Sequence, residues 1–153
     1  MAVVMREFLL FETGGRSFGL RIGDVERVVH AVRPVPLPHG PAAIEGIFNL
    51  HGMAVPVVDL GIWCGDLAKE VHLDDIFVVL RVGDRRVALH VESAQGVVEI
   101  PDTSVQPAGS AMMPAEHFHG VAMLEHGVVF LPDVESFLAA AQFAQALGET
   151  VAA

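Results

Sequence analysis

Along most of this chain, apolar and polar residues alternate with a period of two. The runs at 8–11, 17–22, 75–82 and 86–91 are short, rich in β-branched and aromatic residues, and punctuated by Gly, Asp and Pro. Successive side chains of a strand point to opposite faces, so this alternation predicts strands with a buried face. Gly14-Gly15 and Gly83-Asp84 each separate two such runs by a short loop, which predicts two hairpins. Strands follow one another without intervening helices. That favours an all-β fold, an antiparallel barrel or sandwich, over a parallel α/β sheet.

One stretch is more specific than the rest. From Ile44 to Trp63, two apolar β-branched runs flank a polar corner at Asn49, Leu50, His51 and Gly52, the pattern of a tight strand connection. Gly46 and Gly52 suit a positive φ or a close backbone approach that a Cβ would obstruct. Pro56 cannot donate to a ladder, so its strand is expected at a sheet edge or with a bulge. Asp59 stands before Leu60 to Trp63, where an aspartate caps a short helix or turn.

A weak internal repeat organises the chain. The strand, Gly-Gly-Arg turn and strand of residues 8–20 match the strand, Gly-Asp-Arg turn and strand of residues 77–89. Residues 46–60 match 120–134, each with a glycine, two apolar runs about a corner, a proline (Pro56 or Pro132) and an acid (Asp59 or Asp133). The expected organisation is a single domain over 1–153 with approximate subdomains 14–66 and 75–131. A terminal strand at 6–12 and a C-terminal helix at 133–147 would pack across both. That helix is expected from a cap at Asp133, a stripe of Val134, Phe137, Leu138, Ala141 and Ala144, and a stop at Gly148. Residues 25–29 read equally well as helix or strand. Pro34, Pro36, Pro38 and Pro41 mark an extended connection.

Composition narrows the function. The chain has 153 residues and is 52% apolar, enough for a sizeable core. A formal charge of −10 and nine scattered Lys and Arg argue against nucleic acid or an anionic membrane as partner. Cys64 stands alone, so neither an internal disulfide nor a cysteine metal cage is expected, and a small hydrophobe beside Trp63 is its simplest role. Arg6 and Glu7 interrupt the first apolar run, which argues against a signal peptide, and no run approaches the length of a membrane span. A cytoplasmic protein without membrane insertion is the expectation.

Chemistry finds little purchase. The chain holds eight histidines. His117 and His119 lie two apart, on one strand face, and could hold a metal with Glu125, His126 or His51. The spacing matches no established metal motif, so solvated or partner-facing histidines are expected instead. Asp74-Asp75 would point to opposite faces of a strand, which reads as solvated loop charge and not as a proton-sharing pair. No glycine-rich phosphate loop precedes a helix, and no serine sits in a nucleophile elbow. The residues favour no enzyme and no cofactor. Met112-Met113 and Met123 suggest adaptable apolar contacts.

The run Gly46-x-x-Asn49-Leu50-x-Gly52-x-x-Val55-Pro56-Val57-Val58-Asp59-Leu60 resembles the CheW-like coupling domain of bacterial chemotaxis, and the likeness continues in order over nearly the whole chain. It implies two intertwined, SH3-like five-stranded β-barrel subdomains with a C-terminal α-helix and a hydrophobic groove between them. It implies a non-enzymatic adaptor joining the cytoplasmic tip of a chemoreceptor (a methyl-accepting protein) to a CheA-type histidine kinase. Ring assembly with the kinase's regulatory domain, in arrays at the membrane, is implied too. By matching position, the resemblance implies that Gly46, Asn49, Leu50, Gly52, Pro56 and Asp59 hold the signature corner, that His51 falls at a position of assembly contacts, that Val25, Glu26 and Val28 fall where the family meets kinase or receptor, and that Val91, Ala94 and Val97 fall on the receptor groove. His51 replaces the family's usual Arg, forfeiting a permanent charge and a bidentate fork. A pathway with pilus, gliding or second-messenger output is the alternative. A small metal protein using His117 and His119 is the more distant one.

Overall fold

A computed structural model of the chain describes residues 2–37, 43–64, 72–107, 118–125 and 127–139. The strands are β1 (Met5–Thr13), β2 (Arg16–Arg21), β3 (Val25–His30), β4 (Ile44–Leu50), β5 (Met53–Asp59), β6 (Ile76–Val82), β7 (Arg85–Val91), β8 (Ser93–Pro101), β9 (Val105–Pro107), β10 (Phe118–Leu124) and β11 (Gly127–Pro132), with one short helix, α1 (Leu60–Trp63). Residues 134–139 are also helical. Residues 25–29, open between helix and strand in the sequence, lie in β3.

The strands form two sheets, ordered β8-β1-β2-β11-β10-β9 and β3-β6-β7-β5-β4. Each takes strands from both sides of residues 66–75. The N-terminal hairpin β1–β2 joins β8 to β11, and the β6–β7 hairpin joins β3 to β5, so the two units are intertwined. The anticipated turns are present: Gly14 and Gly15 at φ 60° and 74° close β1–β2, and Gly83 at φ 62° closes β6–β7, conformations that cost a glycine little.

The repeat is built into the hydrogen bonding. In the first sheet β2 runs parallel to β11, pairing Phe18 with Phe130. In the second β7 runs parallel to β5, pairing Leu89 with Val58. Short 3₁₀ turns, Ile22–Asp24 and Asp102–Ser104, precede β3 and β9. The bridge between Val35 and Ile47 is the second sheet's counterpart of the pairing between β9 and β10. The first sheet therefore has one strand more than the five expected, because its sixth, β9, extends over three residues.

The second sheet curls into a barrel. In strand order three spacings separate β6 from β4, roughly 14 Å at about 4.8 Å each in a flat sheet. Yet the rings of Phe77 on β6 and Phe48 on β4 lie 5.0 Å apart. Phe48, Leu50, Val55, Val57, Phe77, Val79 and Ala88 fill this interior. Phe8, Ile100, Ala122, Val129 and Leu131 fill the first sheet's own core. A third and larger core lies between the sheets, where Phe11, Phe18 and Leu20 meet Val78, Leu80 and Leu89. Val134, Phe137 and Leu138 of the C-terminal helix are buried in it, as the stripe predicts. Ala141, Ala144 and Gly148 lie outside the described residues.

Pro56 departs from expectation, because β5 is an inner strand between β7 and β4. Pairing with β7 begins only at Val57, so the missing N–H falls where that ladder has not started. Asp59 does cap α1: its Oδ1 accepts from the Ile62 N–H at 3.1 Å. Cys64 packs with Trp63 against the central core.

Candidate functional site

The residues singled out in the sequence fall on three sheet borders. Asn49, His51 and Gly52 form the tip of the β4–β5 hairpin and are exposed. His51 at φ 51° and Gly52 at φ 88° both adopt left-handed conformations. Asn49 fixes that corner by accepting the Gly52 N–H at Oδ1, 2.7 Å away. Glu26 and Val28 lie on β3, an outer strand of the second sheet. Val28 is exposed. Ala94 and Val97 lie on β8, an outer strand of the first sheet, and both are exposed.

Five of the positions are wholly or partly engaged within the fold. Gly46 is buried, and Leu50 and Val91 are core side chains at 5% and 1% exposure, so they shape the fold beneath any contact surface. Glu26 is tied up: Arg86 donates to it at 2.8 and 3.3 Å, with Arg81 at 3.8 Å. Its hydrogen bond to Arg86, with the nearby charges of Arg86 and Arg81, holds the carboxyl below its ordinary pKa although burial opposes this. Val25 is half-buried against the central core.

His119 is exposed, with Asp133 3.6 Å from Nε2, while His117, His126, Met112 and Met113 lie outside the described residues. Met123 is exposed at the end of β10. A cleft of about 570 Å³ opens beside the C-terminal helix, where Arg6 and Arg21 face Asp24, Asp102, Asp133 and Glu135. Its charges are mixed, and Arg6 already pairs with Asp102 at 3.1 Å, so it offers a ligand no field of one sign.

The sequence reading missed a buried ionic cluster. His90 on β7 places Nδ1 2.8 Å from Glu45 Oε1 and Nε2 2.7 Å from Asp75 Oδ2. Both ring nitrogens need a proton to satisfy two carboxylates, which makes His90 an imidazolium. Burial pushes its pKa down, but hydrogen bonds and charge from Glu45 and Asp75 outweigh this and raise it to about 9. The expectation of solvated charge at Asp74-Asp75 is thus half corrected. Asp74 is exposed, whereas Asp75 is buried, facing His90 and accepting the His72 N–H at 3.0 Å. The cause is the barrel end, which draws Asp75 inward over Phe77 and His90, whose rings meet edge-on at 5.6 Å. A charged residue in the otherwise apolar run Val87-Ala88-Leu89-His90-Val91 was the available signal.

Among the described residues, no helix is long and apolar enough to cross a membrane. The family model of the CheW-like domain matches residues 7–142. The chain is 28% identical over 133 residues to the chemotaxis protein CheW of Rhizobium meliloti, covering 86% of each. It is 31% identical over 130 residues to Protein PilI of Pseudomonas aeruginosa, covering 80% of this chain and 70% of that one. The crystal structure of the scaffolding protein TtCheW from Thermoanaerobacter tengcongensis superposes with a TM-score of 0.77 at 24% identity, covering 85% of this chain and 90% of that one. With that fold, and a family match running nearly end to end, the chain belongs to the CheW-like domain family.

Proposed function

We propose that this chain is a non-enzymatic adaptor that couples chemoreceptors to a CheA-type histidine kinase. The observation that carries the reading is the family match across residues 7–142. The structure adds surfaces suited to the work: the outer strands β3 and β8 expose Val28 and Val97 at 43% and 50%. A receptor helical hairpin would lay an apolar stripe over Ala94 and Val97, as helix-in-groove recognition does. The kinase would meet the β4–β5 tip at Asn49, His51 and Gly52, and the exposed side of β3 at Val28. An adaptor of this kind alters kinase output only through contacts that differ between the kinase's two states. Its place is the cytoplasmic side of receptor arrays, in rings with the kinase's regulatory domain.

A second output is favoured by two observations. By the family resemblance His51 stands where an Arg is usual, and one relative at 31% identity is named Protein PilI, where others are named chemotaxis protein CheW. The same coupling would then serve a pathway other than swimming. Both readings meet one experiment: capture of partners from the native host by the tagged chain, with Val28→Glu and Val97→Glu alongside. A histidine kinase and a receptor recovered together, and lost from the variants, supports the adaptor. Recovery of neither overturns it. The output domain of the captured kinase's pathway decides between swimming and another response.

A further inference from the structure

The cluster at the end of the second barrel has the chemistry of a metal site. Three adjacent strands supply it: Glu45 from β4, Asp59 from the end of β5 and His90 from β7. Asp59 and His90 are register partners in the parallel β5–β7 ladder, so both side chains leave the same face. Glu45 falls within the irregularity between Ile44 and Gly46, where two residues of β4 follow one step of β5. One ligand atom from each of Glu45, Asp59 and His90 lies within 4.8 Å of the other two. Tetrahedral bonds of about 2.1 Å place ligand atoms roughly 3.4 Å apart, so side-chain rotations of about an ångström close the set.

Three further observations separate this from an ordinary ion pair. Glu45 Oε2 is buried and has no hydrogen-bond partner, an orphaned acceptor of the kind that calls for a ligand or ion. Asp75, with a side chain 8% exposed, grips the far nitrogen of His90 at 2.7 Å and is itself held by the His72 N–H. A metal-binding histidine is oriented in this way, one nitrogen on the ion and the other donating to a carboxylate. The charges also fail to balance. Among the described residues, Glu45, Asp59 and Asp75 bring three carboxylates to one imidazolium, and Arg or Lys pairs with none of them. A divalent cation reduces that excess.

We propose that Glu45, Asp59 and His90 bind one divalent transition-metal ion of the zinc class, with Asp75 as the carboxylate that positions His90. One nitrogen and two carboxylate oxygens, completed by water, suit zinc and its borderline neighbours better than calcium or magnesium, which take oxygen ligands. On binding, the bond from Nδ1 to the ion forms as the Nδ1 proton leaves for solvent, and Glu45 exchanges that hydrogen bond for coordination. The ion would pin β4, β5 and β7 together under α1, acting on stability and independently of the adaptor surfaces.

The test uses the full chain after chelator treatment, titrated with zinc chloride in a calorimeter at about pH 7.5. One ion per chain is expected, with a rise in thermal midpoint. Glu45→Gln and Asp59→Asn should each weaken binding about tenfold or more, and Asn still caps α1, so that variant keeps its helix. His119→Gln, a change at an exposed histidine, should leave binding unaltered. Zinc should also move the ring resonances of His90. Absence of zinc binding, with the proton as the only occupant, overturns the proposal. So does binding undiminished in both carboxylate variants, or His90 resonances that zinc leaves in place, since those mark coordination by exposed histidines.

Discussion

Gly46 and Gly120 hold equivalent positions in the two sheets, and each lies against a backbone carbonyl. A Cβ on Gly46 would overlap the Val35 oxygen, and one on Gly120 would overlap the Gln106 oxygen. Val35 bridges to β4 and Gln106 pairs in β9, so in both units a preceding segment is laid across a glycine. The internal repeat is thus a repeat of close approach as well as of hairpins.

Alanine at either glycine must therefore displace a strand. Gly46→Ala and Gly120→Ala should each lower unfolding stability by about 1–3 kcal/mol, the range for overpacking. Gly52, at φ 88° but with open space around its Cβ position, should lose only about 1 kcal/mol on the same change. Urea unfolding of the three variants checks the order. A Gly120→Ala protein as stable as the parent would contradict the reading.

What could be read in advance follows from how local each feature is. The hairpins at Gly14-Gly15 and Gly83-Asp84 were legible because a turn and its strands occupy one stretch of chain. So was the Asp59 cap, which reaches only to Ile62. The parallel contacts Phe18 to Phe130 and Leu89 to Val58 join residues far apart in sequence, and no local pattern encodes them. Pro56 misled for the same reason, since the strand beside it, β7, comes from a later hairpin. Gly46 was legible as a constrained glycine, but the cause, the Val35 carbonyl, was not. The adaptor surfaces came from resemblance. Of those positions Leu50 and Val91 proved to be core: Leu50 is on the barrel-facing side of β4, whose burial still alternates, while Val91 ends the inner strand β7, where both faces are buried and alternation ceases to separate inside from outside.

The His90 cluster makes stability depend on pH in a defined window. With the folded pKa raised to about 9 from 6.5, the metal-free protein gains full stabilisation below pH 6.5 and loses it as pH rises through about 9. The loss amounts to roughly 3 kcal/mol at 1.36 kcal/mol per pKa unit. His90→Gln should abolish this dependence. It should also destabilise the protein by about 3–5 kcal/mol near neutral pH, because Glu45 and Asp75 then face each other without a cation. Chemical unfolding at a series of pH values measures both. A parent protein whose stability stays level from 6.5 to 9 would sink the assignment of an imidazolium.

Glu26 and Arg86 should couple energetically. Their side chains are 17% and 18% exposed and meet through two hydrogen bonds, a better geometry than most surface pairs possess. A double-mutant cycle with Glu26→Gln and Arg86→Met should return about 1–2 kcal/mol of interaction. Most of it should persist in concentrated salt, because a partly buried pair is screened less than an exposed one. Arg6 and Asp102, at 44% and 48% exposure, provide the contrast, and their coupling should fall below about 1 kcal/mol and fade with salt.

His51 separates folding from binding. It is the one residue other than glycine with a positive φ among the described residues, at 51°, and that conformation costs an L-residue about 1 kcal/mol. His51→Gly should relieve the cost and leave the Asn49–Gly52 hydrogen bond in place, so the protein should become more stable by about 0.5–1 kcal/mol. Its exposed side chain is, in the adaptor reading, a contact to the kinase, and its removal should weaken that binding while stability rises. A designed optimum for folding alone would have placed Gly or Asn here, so strain at this tip is consistent with a side chain kept for a partner. Calorimetry against the captured kinase, run on parent, His51→Gly and His51→Arg proteins of verified stability, settles the matter. If all three bind equally, the β4–β5 tip is a folding device and the kinase contact lies elsewhere.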